Sequence, residues 1–367
     1  MNSIPISVTS GKVFLLASLR AATFRVMGFI LCVAVWGLRP GEGFGAEEAK
    51  IRVAHFATVT HAPALVARAK GHFEQEFQGT AQIDWKIFNA GPLAIEALFA
   101  DEVDILYAGP NPAVNGYVRS KGEALRVLAG VASGGSAFVV RSGSGIERFE
   151  DIRAHRVASP QIGNSQDVVL RFLMHQKGLK PRHQGGDVEL FHVGGGDQLI
   201  AMARGEVDAA WTVEPFVSRL VSEAGGRILL DEGQLWPGGQ YATALLVVRR
   251  KFVQTHPAWV EQWVRGHVTI IDWMNEHLEE AKRLVNEELR RETGASLSTA
   301  YLDQCFNRIT FTYEPMEFSV LQSAKRAETL GLLGREKVTL DQLYDLSFLN
   351  RVRNQVRAER AGHAHFD

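Results

Sequence analysis

One phrase is written twice in this chain. Ala97-Leu98-Phe99-Ala100-Asp101-Glu102-Val103-Asp104-Ile105-Leu106-Tyr107 lines up with Ala201-Met202-Ala203-Arg204-Gly205-Glu206-Val207-Asp208-Ala209-Ala210-Trp211. Each copy reads as a helix, the triplet Glu-Val-Asp, a short apolar strand and an aromatic residue, and each runs into a loop containing proline. A single repeat at so large an offset is no solenoid. Unless the likeness is a chance meeting of two helix–turn–strand units, it means two lobes of similar topology. A length of 367 residues exceeds one typical core and agrees with two domains.

Around the repeat, strand and helix patterns alternate as in a parallel α/β sheet. Strands are expected at 51–56, 83–88, 103–107, 125–131 and 137–141, with helices at 63–70 and 93–100; Gly71 suits the end of the first helix. A second unit opens near residue 146, with strands at 156–158 and 188–193 and helices at 167–177 and 198–204. Residues 242–249 (ATALLVVR) are strongly β and return to the first lobe. Helices follow at 257–275, 278–288, 296–308 and 317–332, and a last one runs from 340 to about 357. The tail 358–367 is expected to be disordered.

Lys12, Arg20 and Arg25 precede an apolar run at 26–36, and small residues follow up to Ala46. That order is a secretory leader, with an uncleaved anchor as the alternative. The run is short of the roughly 20 apolar residues a membrane helix needs. Leu31 is bulky where a lipoprotein signal needs a small residue before Cys32, so lipidation there is rejected. The whole chain has a formal net charge of −1. Losing residues 1–46 removes four bases (Lys12, Arg20, Arg25, Arg39) and one acid (Glu42), giving −4 and leaving Cys305 as the one cysteine. Such a balance lacks the positive charge that nucleic-acid binding depends on, and a lone cysteine allows no intrachain disulfide.

In open α/β sheets ligands sit beyond the carboxyl ends of the strands, where helix N-termini present N–H groups to small anions. Candidate loops of that kind hold Thr60 and His61, Asn89 and Gly91, Gly109 and Asn111, Ser133 and Gly134, and Asn164, Ser165 and Gln166. Trp211 reads as a ligand wall or as a core aromatic. Glu214 reads as an acceptor for an amine or as a carboxylate paired with arginine or capping a helix. His61 reads as a donor to an anion or as a satisfied loop histidine. Enzyme signatures are absent: there is no Gly-x-Ser-x-Gly, Walker loop or His-Glu-x-x-His, and Gly194-Gly195-Gly196 lacks the dinucleotide spacing. Cys305, in a helical context, has no companion for a thiolate nucleophile.

The residues 64–73 (ALVARAKGHF), the Glu-Val-Asp triplets, Trp211-Thr212-Val213-Glu214-Pro215-Phe216 and His256-Pro257-Ala258-Trp259-Val260 together resemble the periplasmic solute-binding proteins of the nitrate, taurine and aliphatic-sulfonate type. The resemblance covers about residues 50–350. It implies a type II two-lobed fold of two mixed sheets flanked by helices, with two crossing strands as a hinge. The borders it suggests are a signal peptide at 1–46, a first lobe at 47–140 and 241–357, and a second lobe at 141–240. It further implies a ligand clasped between the lobes by the residues named above, without cofactor, metal or catalysis. The partners would be a small sulfonate-like solute and the membrane permease of an ABC importer, the protein acting as a periplasmic monomer. Glu214 facing the cleft would favour a zwitterion or a cation-bearing heterocycle. The alternatives are an enzyme on the same fold, such as a pyrimidine-precursor synthase or a menaquinone-pathway lyase, and a sensor domain.

Overall fold

The computed structural model describes residues 49–335 and 338–363. The expected leader lies outside the described residues, as do residues 364–367 of the tail. Eleven strands form two mixed sheets among the described residues. The first contains β1 (Lys50–His55), β2 (Gln82–Ile87), β3 (Ile105–Ala108), β4 (Leu125–Gly134), β10 (Ala242–Arg249) and β11 (Ile309–Phe311). The second contains β5 (Ser136–Arg141), β6 (Arg156–Ser159), β7 (Glu189–His192), β8 (Ala209–Val213) and β9 (Gly226–Asp231).

Helices α1 (Ala62–Ala69), α2 (His72–Glu76), α3 (Gly91–Phe99) and α4 (Pro110–Arg119) connect the first set of strands. Helices α5 (Ser165–Gln176), α6 (Gly195–Ala203) and α7 (Phe216–Glu223) connect the second. The remainder is α8 (Arg250–Thr255), α9 (Pro257–Glu276), α10 (Leu278–Thr293), α11 (Thr299–Asn307), α12 (Glu317–Thr329) and α13 (Ser347–His363). None of the described helices is long and apolar enough to cross a membrane.

Spatial order is the same in both sheets: β2-β1-β3-β10-β4 in the first, continued by β11, and β7-β6-β8-β5-β9 in the second. Each begins with three parallel strands. Each then takes one antiparallel strand out of chain order, β10 beside β3 or β5 beside β8. The strands are apolar on both faces, as covered parallel sheets require. In β1, Ile51 and Val53 join the core under α1, α9 and α10, while Ala54 joins the core under α3, α4 and α12.

The written repeat is a structural one. Helices α3 and α6 begin at residues 91 and 195, and β3 and β8 at 105 and 209, a constant offset of 104. The triplet's last residue does the same job twice. Asp104 accepts from the backbone N–H (3.0 Å) and Nε (2.8 Å) of Arg52 at the head of β1. Asp208 accepts from the backbone N–H (3.1 Å) and Nε (3.3 Å) of Arg156 at the head of β6. A second arginine, from the inserted strand, reaches each carboxylate: Arg249 for Asp104 and Arg141 for Asp208. Burial opposes charging these acids, but the guanidinium partners hold both carboxyls below the usual range.

The chain passes between sheets at the end of β4 through Gly134 and Gly135, both with positive φ (85° and 76°). A Cβ on Gly134 would stand 2.4 Å from the Arg308 carbonyl oxygen, so this crossing needs glycine. It returns through residues 232–241 into β10.

Two expectations are corrected, and residues 309–311, which carry no expected element, pair with the outer edge of β4. The last helix starts at Ser347 rather than 340, because Leu343 and Asp345 satisfy the free edge of β4 through both backbone groups of Val127. That helix also continues to His363, through residues 358–363 of the expected tail.

Candidate functional site

Loops at the carboxyl ends of the three parallel strands of each sheet face one another. They enclose a small cavity of about 90 Å³, into which Thr58, Thr60 and His61 (after β1), Asn89 and Ala90 (after β2) and Gly109 (after β3) project. From the second sheet come Pro160, Asn164, Ser165 and Gln166 (after β6), Gly194 and Gly195 (after β7), and Thr212, Val213 and Phe216. Phe56 and Thr243 complete the wall. No Lys, Arg, Asp or Glu side chain lines it.

Four helix N-termini meet there, those of α3, α4, α5 and α6. Ala90 and Gly194 occupy the N-caps of α3 and α6 and provide no side-chain cap, so first-turn amides remain for a ligand. Asn164 caps α5 by accepting from Ser165 N–H at 3.2 Å. In α4, Pro110 and Pro112 lack an N–H and the Asn111 amide donates to Ser165 Oγ (3.3 Å), so this helix contributes partial positive charge without a free donor. The summed field is positive in a site without basic side chains.

His61 is the one titratable group on this wall, 3% exposed. Burial, with His55 nearby, pushes its imidazole down to about 3, so it is neutral at physiological pH. Its Nδ1 lies 2.8 Å from Thr58 Oγ1, and its other nitrogen, Nε2, is sealed from solvent, with the Tyr107 backbone as a further neighbour of the ring.

Of the residues singled out from sequence, Thr60, His61, Asn89, Gly109, Asn164, Ser165 and Gln166 are brought together on this wall. Six others are placed elsewhere. Gly91 is packed under Pro112, whose Cγ would lie 2.3 Å from an added Cβ. Asn111 donates to the Ser323 carbonyl on α12 (3.1 Å), tying α4 to that helix. Ser133 accepts from Tyr241 N–H (3.3 Å) and the Gly134 carbonyl from Thr243 Oγ1 (2.6 Å), so both belong to the crossing between sheets.

Trp211 walls nothing. It is fully buried in the second sheet's core beside Phe138, its indole donating to Ser136 Oγ and Glu232 Oε2, each at 3.1 Å. Glu214 does not face the cleft either. It accepts from Ser218 N–H (3.1 Å) and Oγ (2.9 Å) in α7, and pairs with Arg308 Nε at 3.2 Å. Burial pushes its carboxyl up against these donors. The case for a zwitterion or cation built on Glu214 therefore falls. Cys305 donates to Glu214 Oε2 (3.3 Å), and burial beside that carboxylate raises its thiol far above the usual range.

Sequence reading missed the α6 terminus, although the offset of 104 carries Gly91 onto Gly195. It also missed Phe56 and Thr243, which no local motif marks, and Thr212 and Phe216, which lie in the quoted 211–216 motif where Trp211 and Glu214 were singled out instead. A second cavity, about 670 Å³ along α12 and residues 333–335 and 338–340, includes none of these loops.

The profile of the NMT1-like family matches residues 45–287. The taurine-binding periplasmic protein of Escherichia coli K12 is 28% identical over 225 residues, 61% of this chain and 66% of that protein, just under two thirds of its length. The alkanesulfonate-binding protein SsuA from Xanthomonas axonopodis pv. citri, solved bound to MOPS, superposes with a TM-score of 0.66 at 21% identity, over 80% of this chain and 97% of that one. The desulfurization enzyme DSZB superposes with a TM-score of 0.58 at 19% identity, covering 84% of this chain and 99% of the enzyme. At such identities the likenesses show the fold alone: two lobes, as in periplasmic binding proteins.

Proposed function

The chain belongs to the NMT1-like family, and on that premise we propose that it is the periplasmic solute-binding component of an ABC importer, capturing a sulfonate-like organic anion. The observation that carries this reading is the meeting of four helix N-termini around a cavity that, among the described residues, no Lys, Arg, Asp or Glu lines. Oxyanions are bound at such termini without any counter-charge on a side chain. A lobe of residues 49–134 with the return from 242 onward, and another of residues 136–231, would close over the ligand about the Gly134-Gly135 crossing and the 232–241 return. These borders are drawn from the sheets, with β5 taken together with its neighbours β8 and β9.

Export follows from the leader at 1–46, with no lipid on Cys32, and delivery as a monomer to a membrane permease completes the role. No bond changes are assigned. The reading of the wall as a binding surface is supported by its lining of hydroxyls, amides and apolar side chains around the helix N-termini.

Thermal unfolding tests this. Ethanesulfonate at a hundredfold excess over its Kd should stabilise the protein by about 2.7 kcal/mol, and the anion should be recovered unchanged. A panel of sulfonates, taurine, nitrate and bicarbonate that leaves the transition in place, or a product accumulating with time, would sink the reading.

A further inference from the structure

The small cavity opens into a larger one. A chamber of about 630 Å³ shares Phe56, Ala90, Pro160, Gly194 and Phe216 with it and adds Phe88, Ile162 and Val193. A third compartment of about 270 Å³, against Leu289, Leu297 and Tyr301, adjoins the chamber at Phe216 and Thr293. The first compartment is the size of an oxyanion. The chamber behind it falls in the range of about 300–1,000 Å³ that takes drug-sized ligands.

We infer that the ligand is an anion with a broad apolar body, of the arenesulfonate kind, and carries no ammonium group. This rests on the anion-binding reading above and deepens it. The anionic head lies in the small cavity, where Ala90 and Gly194 leave the first turns of α3 and α6 without a side-chain cap. The chamber's character sets the body. Phe56, Phe88 and Phe216 are all partly exposed in the cleft, and Ile162 leaves 54% of its surface open on the loop before α5. Apolar surface held facing a cleft gains by covering flat hydrocarbon.

Charge excludes the zwitterion. The acid on the chamber wall, Asp197, is exposed, and an ion pair in water adds little. In the third compartment Glu223 is already paired with Arg219, and Glu214 and Asp167, both off these walls, are held by Arg308 and by Arg171. An ammonium two carbons from the head would be stripped of water with no carboxylate to receive it.

Calorimetric titration of the full-length protein with naphthalene-2-sulfonate, ethanesulfonate and taurine tests the inference. Naphthalene-2-sulfonate should bind at least about tenfold more tightly than ethanesulfonate, from the apolar area it buries, with taurine weakest. Phe88→Ala and Ile162→Ala, both on the chamber and neither on the head cavity, should each weaken naphthalene-2-sulfonate by about fivefold more than ethanesulfonate. Taurine or ethanesulfonate binding as tightly as the arenesulfonate overturns the inference and leaves the anion reading standing. Equal loss for both ligands in both variants also overturns it. Silence from every sulfonate overturns the two together.

Discussion

Set one sheet beside the other, and the parts that repeat are at the ends of the strands away from the ligand. Asp104 with Arg52 and Asp208 with Arg156 sit at matching positions, and the matching backbone bonds, Asp104 N–H to Arg52 O and Asp208 N–H to Arg156 O, are both 2.8 Å. At the cleft ends the two halves part company. Tyr107 and Trp211 correspond, yet Tyr107 packs against His267 while Trp211 binds Glu232. Pro110 begins a helix, whereas its counterpart Glu214 ties α7 to Arg308. A carboxylate that locks three strands admits few substitutes, since loss of one partner leaves buried guanidinium groups unpaired. Cleft loops carry no such constraint, and there the halves are free to offer different groups to one ligand. The repeated Glu-Val-Asp phrase therefore concerns folding, while the site draws both on the matching N-termini of α3 and α6 and on loops that do not repeat.

The largest effect separating these roles is expected at Trp211. Trp211→Ala should cost roughly 3–5 kcal/mol of stability, as a fully buried aromatic does, while the Kd for ethanesulfonate stays within about threefold. Urea unfolding and titration on one preparation decide it. Weakened binding at unchanged stability would return the indole to the cleft.

The two staples are next, and they should not be equal. Asp104 has 1% of its side chain exposed and Asp208 has 9%. Arg249 opposite Asp104 is 11% exposed, against 29% and 39% for Arg141 and Arg156. Asp104→Ala should thus cost about 3 kcal/mol, the range of a broken buried pair. Asp208→Ala, better solvated, should cost about 1–2 kcal/mol. Equal losses would mean that solvent does not distinguish the halves.

What the sequence disclosed follows the same division. The repeat, the alternation of strands and helices and the loops at 60–61, 109 and 164–166 were legible, because each depends on residues close in the chain. Trp211 was open to two readings because β8 is buried along nearly its whole length, so alternation gives no clue to which side chain meets solvent, and Glu214, in the loop just after β8, was open to two as well. The partner that claims Glu214, Arg308, lies 94 residues further on. Thr243 reaches the cavity from a strand that enters its sheet out of order. The β11 strand was hidden because three residues satisfy an edge rather than form a patterned run.

Acid should weaken the first half before the second. His55, His61 and His267 all belong to the first half, and burial pushes them down to about 4, 3 and 4. A histidine lowered in this way binds its proton only after unfolding, so its contribution is complete above pH ~6.5 and is lost as pH falls toward 4. Each costs up to about 1.4 kcal/mol per pH unit while it titrates. Glu292, beside His55 and Arg68, opposes this: burial raises it to about 7, and it favours the folded state as pH drops from there toward ~4.5. In the second half the buried carboxyls Glu214 and Glu232 are also raised by burial, which strengthens that half on mild acidification. Asp167 is depressed, held charged by His192 and Arg171 despite its burial, and yields only below the ordinary carboxylate range. From pH 6.5 to 5.5 the net loss should be on the order of 1 kcal/mol. Hydrogen exchange over that interval should quicken at β1 and β3 before β6 and β8. Uniform acceleration, or a quicker second half, would break the contrast between a half built on neutral buried histidines and one built on carboxylates.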